Sequence, residues 1–136
     1  MARINSYREL EVWQMSMALA RACYAFTRSM PKDELYGLTS QIRRAAVSIP
    51  ANVAEGHNRR SRRAYRYHVS VALGSQAELG TLLELAAELK PAAPCGLSDM
   101  GPILERVGMM LHALARALEP ENDEPDDRRP PNPDRR

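Results

Sequence analysis

From Leu38 to Arg66 the chain reads LTSQIRRAAVSIPANVAEGHNRRSRRAYR, and no other stretch constrains the fold as much. Leu38, Ile42, Ala45, Ala46, Ile49 and Val53 recur at the three- and four-residue steps of one helical face. Polar Gln41, Ser48, Asn52 and Glu55 lie on or beside that face, and Gly56 ends it. Five arginines follow at once: Arg59, Arg60, Arg62, Arg63 and Arg66. The pattern predicts two helices joined at a basic corner, which is either a binding surface or a structural device.

At 136 residues the chain suits one domain that buries a core without disulfides or metals. Ala and Leu are abundant while Val, Ile, Phe and Tyr are sparse, which favours an all-α fold. Cys23 and Cys95 are isolated thiols, and the first residues carry no apolar signal-peptide core, so a reducing cytoplasm is expected. No apolar run approaches the roughly 18 residues of a membrane span, so the expectation is a soluble protein with no membrane partner.

Periodicity predicts four helices, at about 7–28, 34–56, 61–89 and 99–118. In the first, Leu10, Trp13, Met17, Ala20 and Tyr24 form the expected seam, and Pro31 stops it. In the second, Gly56 stands where a left-handed C-cap is wanted, and Pro50 predicts either a kink or a break into two shorter helices. In the third, Ser61 is the expected N-cap, and Tyr65, Val69, Ala72, Gln76, Leu79, Leu83 and Ala86 repeat with heptad spacing. Leu104, Val107, Leu111, Leu114 and Leu118 mark the fourth. Short connections imply an antiparallel up-and-down four-helix bundle. Val12, Leu19, Cys23 and Phe26 on the first helix, with Val71, Leu82, Leu85 and Leu89 on the third, add second apolar stripes. These serve either a wide core or self-association.

A hairpin of the second and third helices turning near residues 57–60 sets Gln41 against Gln76, Ser48 against Val69 and Asn52 against Tyr65. Glu78 then lies near Arg43, and an interhelical polar layer is expected: Gln41 with Gln76, and Glu78 with Arg43 or Arg44. The layer would satisfy groups that cost roughly 1–3 kcal/mol each if buried unpaired.

The whole chain holds 19 Lys plus Arg against 17 Asp plus Glu, but the charges are segregated. Residues 1–118 carry 15 basic against 10 acidic side chains, and 119–136 carry 4 against 7. That acidic, proline-rich tail, EPENDEPDDRRPPNPDRR, is expected to be disordered, either as a solubilising appendage or folded back over a basic surface.

Leu10 to Trp13, Glu34 with Tyr36 to Leu38, Ser40 to Arg44, Ser48 with Asn52 to Gly56, and Gly74, Ser75, Glu78 and Leu79 together resemble the bacterial 23S rRNA intervening-sequence proteins. The resemblance is strong from residue 6 to about 90 and covers the fourth helix by pattern alone. It implies a four-helix bundle assembled as a homopentameric ring, encoded in some bacteria within inserts of large-subunit rRNA genes, with no established catalytic activity. A distant relative is the accessory protein of diversity-generating retroelements, a pentameric bundle that binds a reverse transcriptase and nucleic acid; clear motifs of that branch are missing here. The acidic tail departs from the family's short ending.

The arginine cluster, with His57, Tyr65, Tyr67 and His68 interleaved, supplies phosphate-binding charge and stacking surfaces. Arg43 and Arg44 extend it. RNA or another polyanion is one partner class, carboxylates of a neighbouring subunit are the other, and a merely solvated face is the third reading. Arginines at a helix start oppose its dipole, so a carboxylate such as Glu55 is expected near Arg62. His57, His68 and His112 have no metal-ligand spacing, no nucleophile elbow accompanies Ser48, and the GxxxxGK[ST] pattern is absent. No cofactor, small-molecule substrate or enzymatic activity is therefore expected.

Overall fold

A computed structural model describes residues 5–89 and 97–120. They form four α-helices: α1 (Glu11–Arg28), α2 (Ser40–Asn58), α3 (Arg62–Leu89) and α4 (Leu97–Ala117). There is no strand among the described residues. None of the described helices is long and apolar enough to cross a membrane. The acidic tail beyond Pro120 and residues 90–96 lie outside the described residues.

Each helix packs mainly on its neighbours in sequence, and α1 also packs on α4. The core between them takes Leu19, Cys23 and Phe26 from α1, and Ile42, Ala46, Ile49 and Val53 from α2. Ala72, Leu79 and Ala86 come from α3, and Met100, Val107 and Leu111 from α4. The predicted inward faces of the second, third and fourth helices are thus the buried ones. On α1 both stripes reach the core. Val12, Leu19, Cys23 and Phe26, expected as the second stripe, line it with Ala20 of the expected seam; Leu10 and Trp13 pack against it half-buried, whereas Met17 is half-buried and Tyr24 is 38% exposed. Both stripes are apolar at helical spacing, so only the placement of α2 and α4 decides how far each is buried.

Helix boundaries follow local chemistry. Ser6 accepts a hydrogen bond from the Arg8 amide and opens a short 3-10 turn, Tyr7–Glu9, ahead of α1. At the far end of α1, the Thr27 hydroxyl donates to the Cys23 carbonyl and the Ser29 hydroxyl to the Phe26 carbonyl, just before Pro31. The second helix begins later than residue 34. Lys32–Glu34 is a separate 3-10 turn, and Leu35–Thr39 is a π-helical turn broken at Gly37, whose φ of −99° and ψ of −109° leave the helical region. From Ser40, α2 continues through buried Pro50 to Asn58, so the alternative of two shorter helices does not hold. Ser61 caps α3 as expected, its hydroxyl accepting from the Ala64 amide at 3.2 Å.

Gly56 is not a C-cap. It is buried within α2, and the helix ends two residues later with Arg59 in extended conformation. A Cβ at Gly56 would stand 2.8 Å from the Tyr65 ring and 2.8 Å from the His68 Cβ. Glycine is needed there because α3 crosses too closely for any side chain.

That extension of α2 also moves the hairpin register by about a turn. Ser48 meets Ser75, Asn52 meets His68, and Gly56 meets Tyr65 and His68, in opposite order along the two helices. The expected polar layer therefore does not form. Gln41 is exposed, and Gln76 donates to the Leu104 carbonyl of α4 at 3.1 Å, its amide lying over Gly108 where a Cβ would come within 2.7 Å. Glu78 is exposed and forms no ion pair with Arg43 or Arg44.

Candidate nucleic-acid interface

The α2–α3 crossing carries a chain of polar contacts that ends at the basic corner. The Ser48 and Ser75 hydroxyls lie 2.7 Å apart, and the Asn52 amide nitrogen donates to the Ser48 carbonyl at 2.8 Å and to its hydroxyl at 3.1 Å. The Asn52 amide oxygen faces His68 Nδ1 at 3.1 Å. With that oxygen as acceptor, the imidazole carries a proton on Nδ1. Its Nε2 then points toward the Glu55 carboxylate, 3.8 Å away, and the same carboxylate oxygen accepts from Arg59 at 3.0 Å. Ser48, Asn52, Glu55 and Gly56 thus all lie at one helix crossing, against Ser75, His68 and Tyr65 of α3.

Sequence reasoning underrated His68 and Ser75. They lie seven residues apart on α3, the same side of the helix, and they supply the partners that Ser48 and Asn52 require. The polar pair on an otherwise apolar face of α2 was the available signal.

The five arginines of the cluster do not share one environment. Arg59 is held by Glu55, which is the carboxylate expected for Arg62. Arg62 instead reaches across the bundle and donates to the carbonyls of Ala117 at 2.6 Å, Glu119 at 3.3 Å and Leu118 at 3.4 Å. A guanidinium there satisfies the last carbonyls of α4 and meets the negative end of its dipole. Arg60, Arg63 and Arg66 make no side-chain hydrogen bond or ion pair among the described residues. Arg60 and Arg63 are exposed, and Arg66 is half-buried.

The aromatic residues of the corner separate in the same way. Tyr65 is half-buried, its ring perpendicular to that of His57 at 5.9 Å, and burial pushes its phenol pKa up. Tyr67 points away from the core and is 65% exposed.

Arg43 and Arg44 lie apart from this corner. The Arg43 Nε donates to the Thr27 hydroxyl at 2.8 Å, and its guanidinium stacks 4.6 Å from the centre of the Tyr24 ring, tying α2 to α1. Arg44 lines an open groove of about 1110 Å³ together with Gln41, Val47, Ser48, Ser75 and Glu78. Among the described residues no group of three or more His, Cys, Asp or Glu could hold a metal ion.

Residues 8–113, most of the bundle, match the family model described as 23S rRNA-intervening sequence protein. The chain belongs to that family. Among solved structures, one similar to this 23S rRNA-intervening sequence protein is a protein of unknown function from the S23 ribosomal protein family of Bacteroides thetaiotaomicron VPI-5482. The TM-score is 0.68 at 20% identity, covering 77% of this chain and 98% of that one. At that identity the likeness speaks for the fold alone. No curated protein matches the chain. Neither the family's description nor the neighbour's names an enzymatic activity.

Proposed function

We propose that this 23S rRNA-intervening sequence protein is a non-catalytic, cytoplasmic bundle that binds RNA phosphates at its basic corner. One observation carries the reading: Arg60, Arg63 and Arg66 have no partner among the described residues, while Arg59 and Arg62 are committed within the chain. Three uncommitted guanidinium groups at one end of a bundle form an electrostatic footprint for a polyanion, with little preference for sequence. Arg43, Arg44, Arg59 and Arg62, which the sequence grouped with them, contribute positive field rather than direct contacts. The bundle assembles with further copies of itself, a homopentamer in the family's manner, its helices in antiparallel up-and-down order. The opposite order of contacts along α2 and α3 supports that topology, and the uncovered α2–α3 groove supports self-association.

The test is the triple replacement Arg60→Glu, Arg63→Glu and Arg66→Glu, with binding to a structured RNA followed by fluorescence anisotropy at low salt. Binding should be lost while helical circular dichroism and the mass from light scattering are retained. Unchanged affinity would refute RNA binding through these residues. A second reading rests on the same three side chains: they pair with carboxylates of a neighbouring subunit. In that case the triple replacement dissociates the assembly and the wild-type protein never binds RNA.

A further inference from the structure

Tyr67 is 65% exposed and lies on the same helix as the uncommitted Arg63 and Arg66. Arg63 lies four residues before it on α3, on the same face one helical turn away, whereas Arg66, one residue before it, is turned around the helix from the ring. The ring is braced from one side. His68 packs against it in a T-shaped contact, with centroids 5.3 Å apart and planes at 75°. His68 is itself anchored by Asn52 at 3.1 Å, and Asn52 by Ser48. A polar network running through the α2–α3 crossing therefore supports an aromatic ring that contributes nothing to the core.

A braced, solvent-facing ring with a free guanidinium one turn away on the same face suits one kind of nucleic acid. Paired bases in an A-form duplex are stacked on each other, and the deep, narrow major groove keeps side chains from their edges. An unpaired base can leave its stack and lie on a tyrosine face while its flanking phosphates meet arginines. We propose that the RNA taken at the basic corner is unpaired, a loop or single strand, with a base stacked on Tyr67 and a neighbouring phosphate on Arg63. This rests on the RNA-binding reading above and names the class of RNA that it takes.

The experiment compares two labelled RNAs of equal length and charge, a hairpin with a large loop and a fully paired duplex, by fluorescence anisotropy. Each is titrated with wild-type protein, Tyr67→Ala and Tyr67→Phe. Wild type should prefer the looped RNA by about tenfold. Tyr67→Ala should lower its affinity for the looped RNA to that for the duplex, and Tyr67→Phe should keep the preference, because the ring and not the hydroxyl does the stacking. The salt dependence should be the same in all three proteins, since no charge changes. Equal wild-type affinity for both RNAs, or a preference untouched by Tyr67→Ala, overturns the stacking proposal and leaves phosphate binding standing. Absence of binding to either RNA overturns both.

Discussion

Asn52 and His68 meet across the α2–α3 crossing, amide oxygen to Nδ1, at 3.1 Å. The pair bridges the two helices at their crossing. One turn along α2, the amide nitrogen of Asn52 holds Ser48. Removing either partner leaves a partly buried polar group unsatisfied, so Asn52→Ala and His68→Ala should each cost about 1–2 kcal/mol in urea unfolding. In the double variant the costs should fall short of additivity by at least about 0.5 kcal/mol. Strict additivity would mean that the two side chains do not share a bond.

Two glycines should respond to alanine with opposite signs. At Gly56 an added methyl meets Tyr65 and the His68 Cβ at 2.8 Å, and the latter is anchored by the helix backbone. Gly56→Ala should destabilise by about 1–3 kcal/mol. Gly74 lies within α3, and a methyl added there would meet nothing within 4 Å, so Gly74→Ala should stabilise by up to about 1 kcal/mol. Thermal melts of the two variants decide. Gly56→Asn adds a second check: a left-handed cap would tolerate asparagine, whereas a crowded crossing makes it worse than alanine.

Arg62→Gln removes the charged cap from the end of α4. The last turn of that helix should exchange its amide hydrogens faster, with a loss of about 1 kcal/mol in local stability. Exchange elsewhere in α4 should be unchanged. Uniform acceleration across the helix would instead mean that Arg62 supports global packing.

Cys23 is fully buried, and burial pushes its thiol pKa up to about 11 from the ordinary 9.0. A native thiol that resists ionisation favours the folded state only while the unfolded thiol is also protonated. Stability from this group is therefore complete below about pH 9 and declines as pH rises from 9 toward 11. The raised Tyr65 phenol acts in the same direction. In a Cys95→Ser background, alkylation of Cys23 at pH 8 should be slow in the native state and rapid in denaturant. Rapid native alkylation would contradict the burial.

The helical class and the inward faces of three helices were legible in the sequence because one stripe on each was plainly more apolar than the rest. On α1 two stripes competed and both reach the core, but the one led by the larger side chains Trp13 and Tyr24 buries only Ala20, while Tyr24 is exposed. Size attracts attention, but burial depends on which neighbours a face meets, and that is tertiary information. The α2–α3 register failed for a smaller reason: Gly56 read as a terminus, whereas crowding by Tyr65 and His68 requires it inside the helix. The basic corner was legible as a set of residues and not as a division of labour. Five arginines looked equivalent until Glu55 and the end of α4 claimed one each.

The salt dependence of binding to a looped RNA, measured by fluorescence anisotropy between about 50 and 200 mM salt, tests the functional reading most directly. Contacts to three phosphates per protomer predict that log affinity falls linearly with log salt at a slope of about −2 to −3. A protein that does not bind at the lowest salt, or binds with an affinity indifferent to salt, would contradict it.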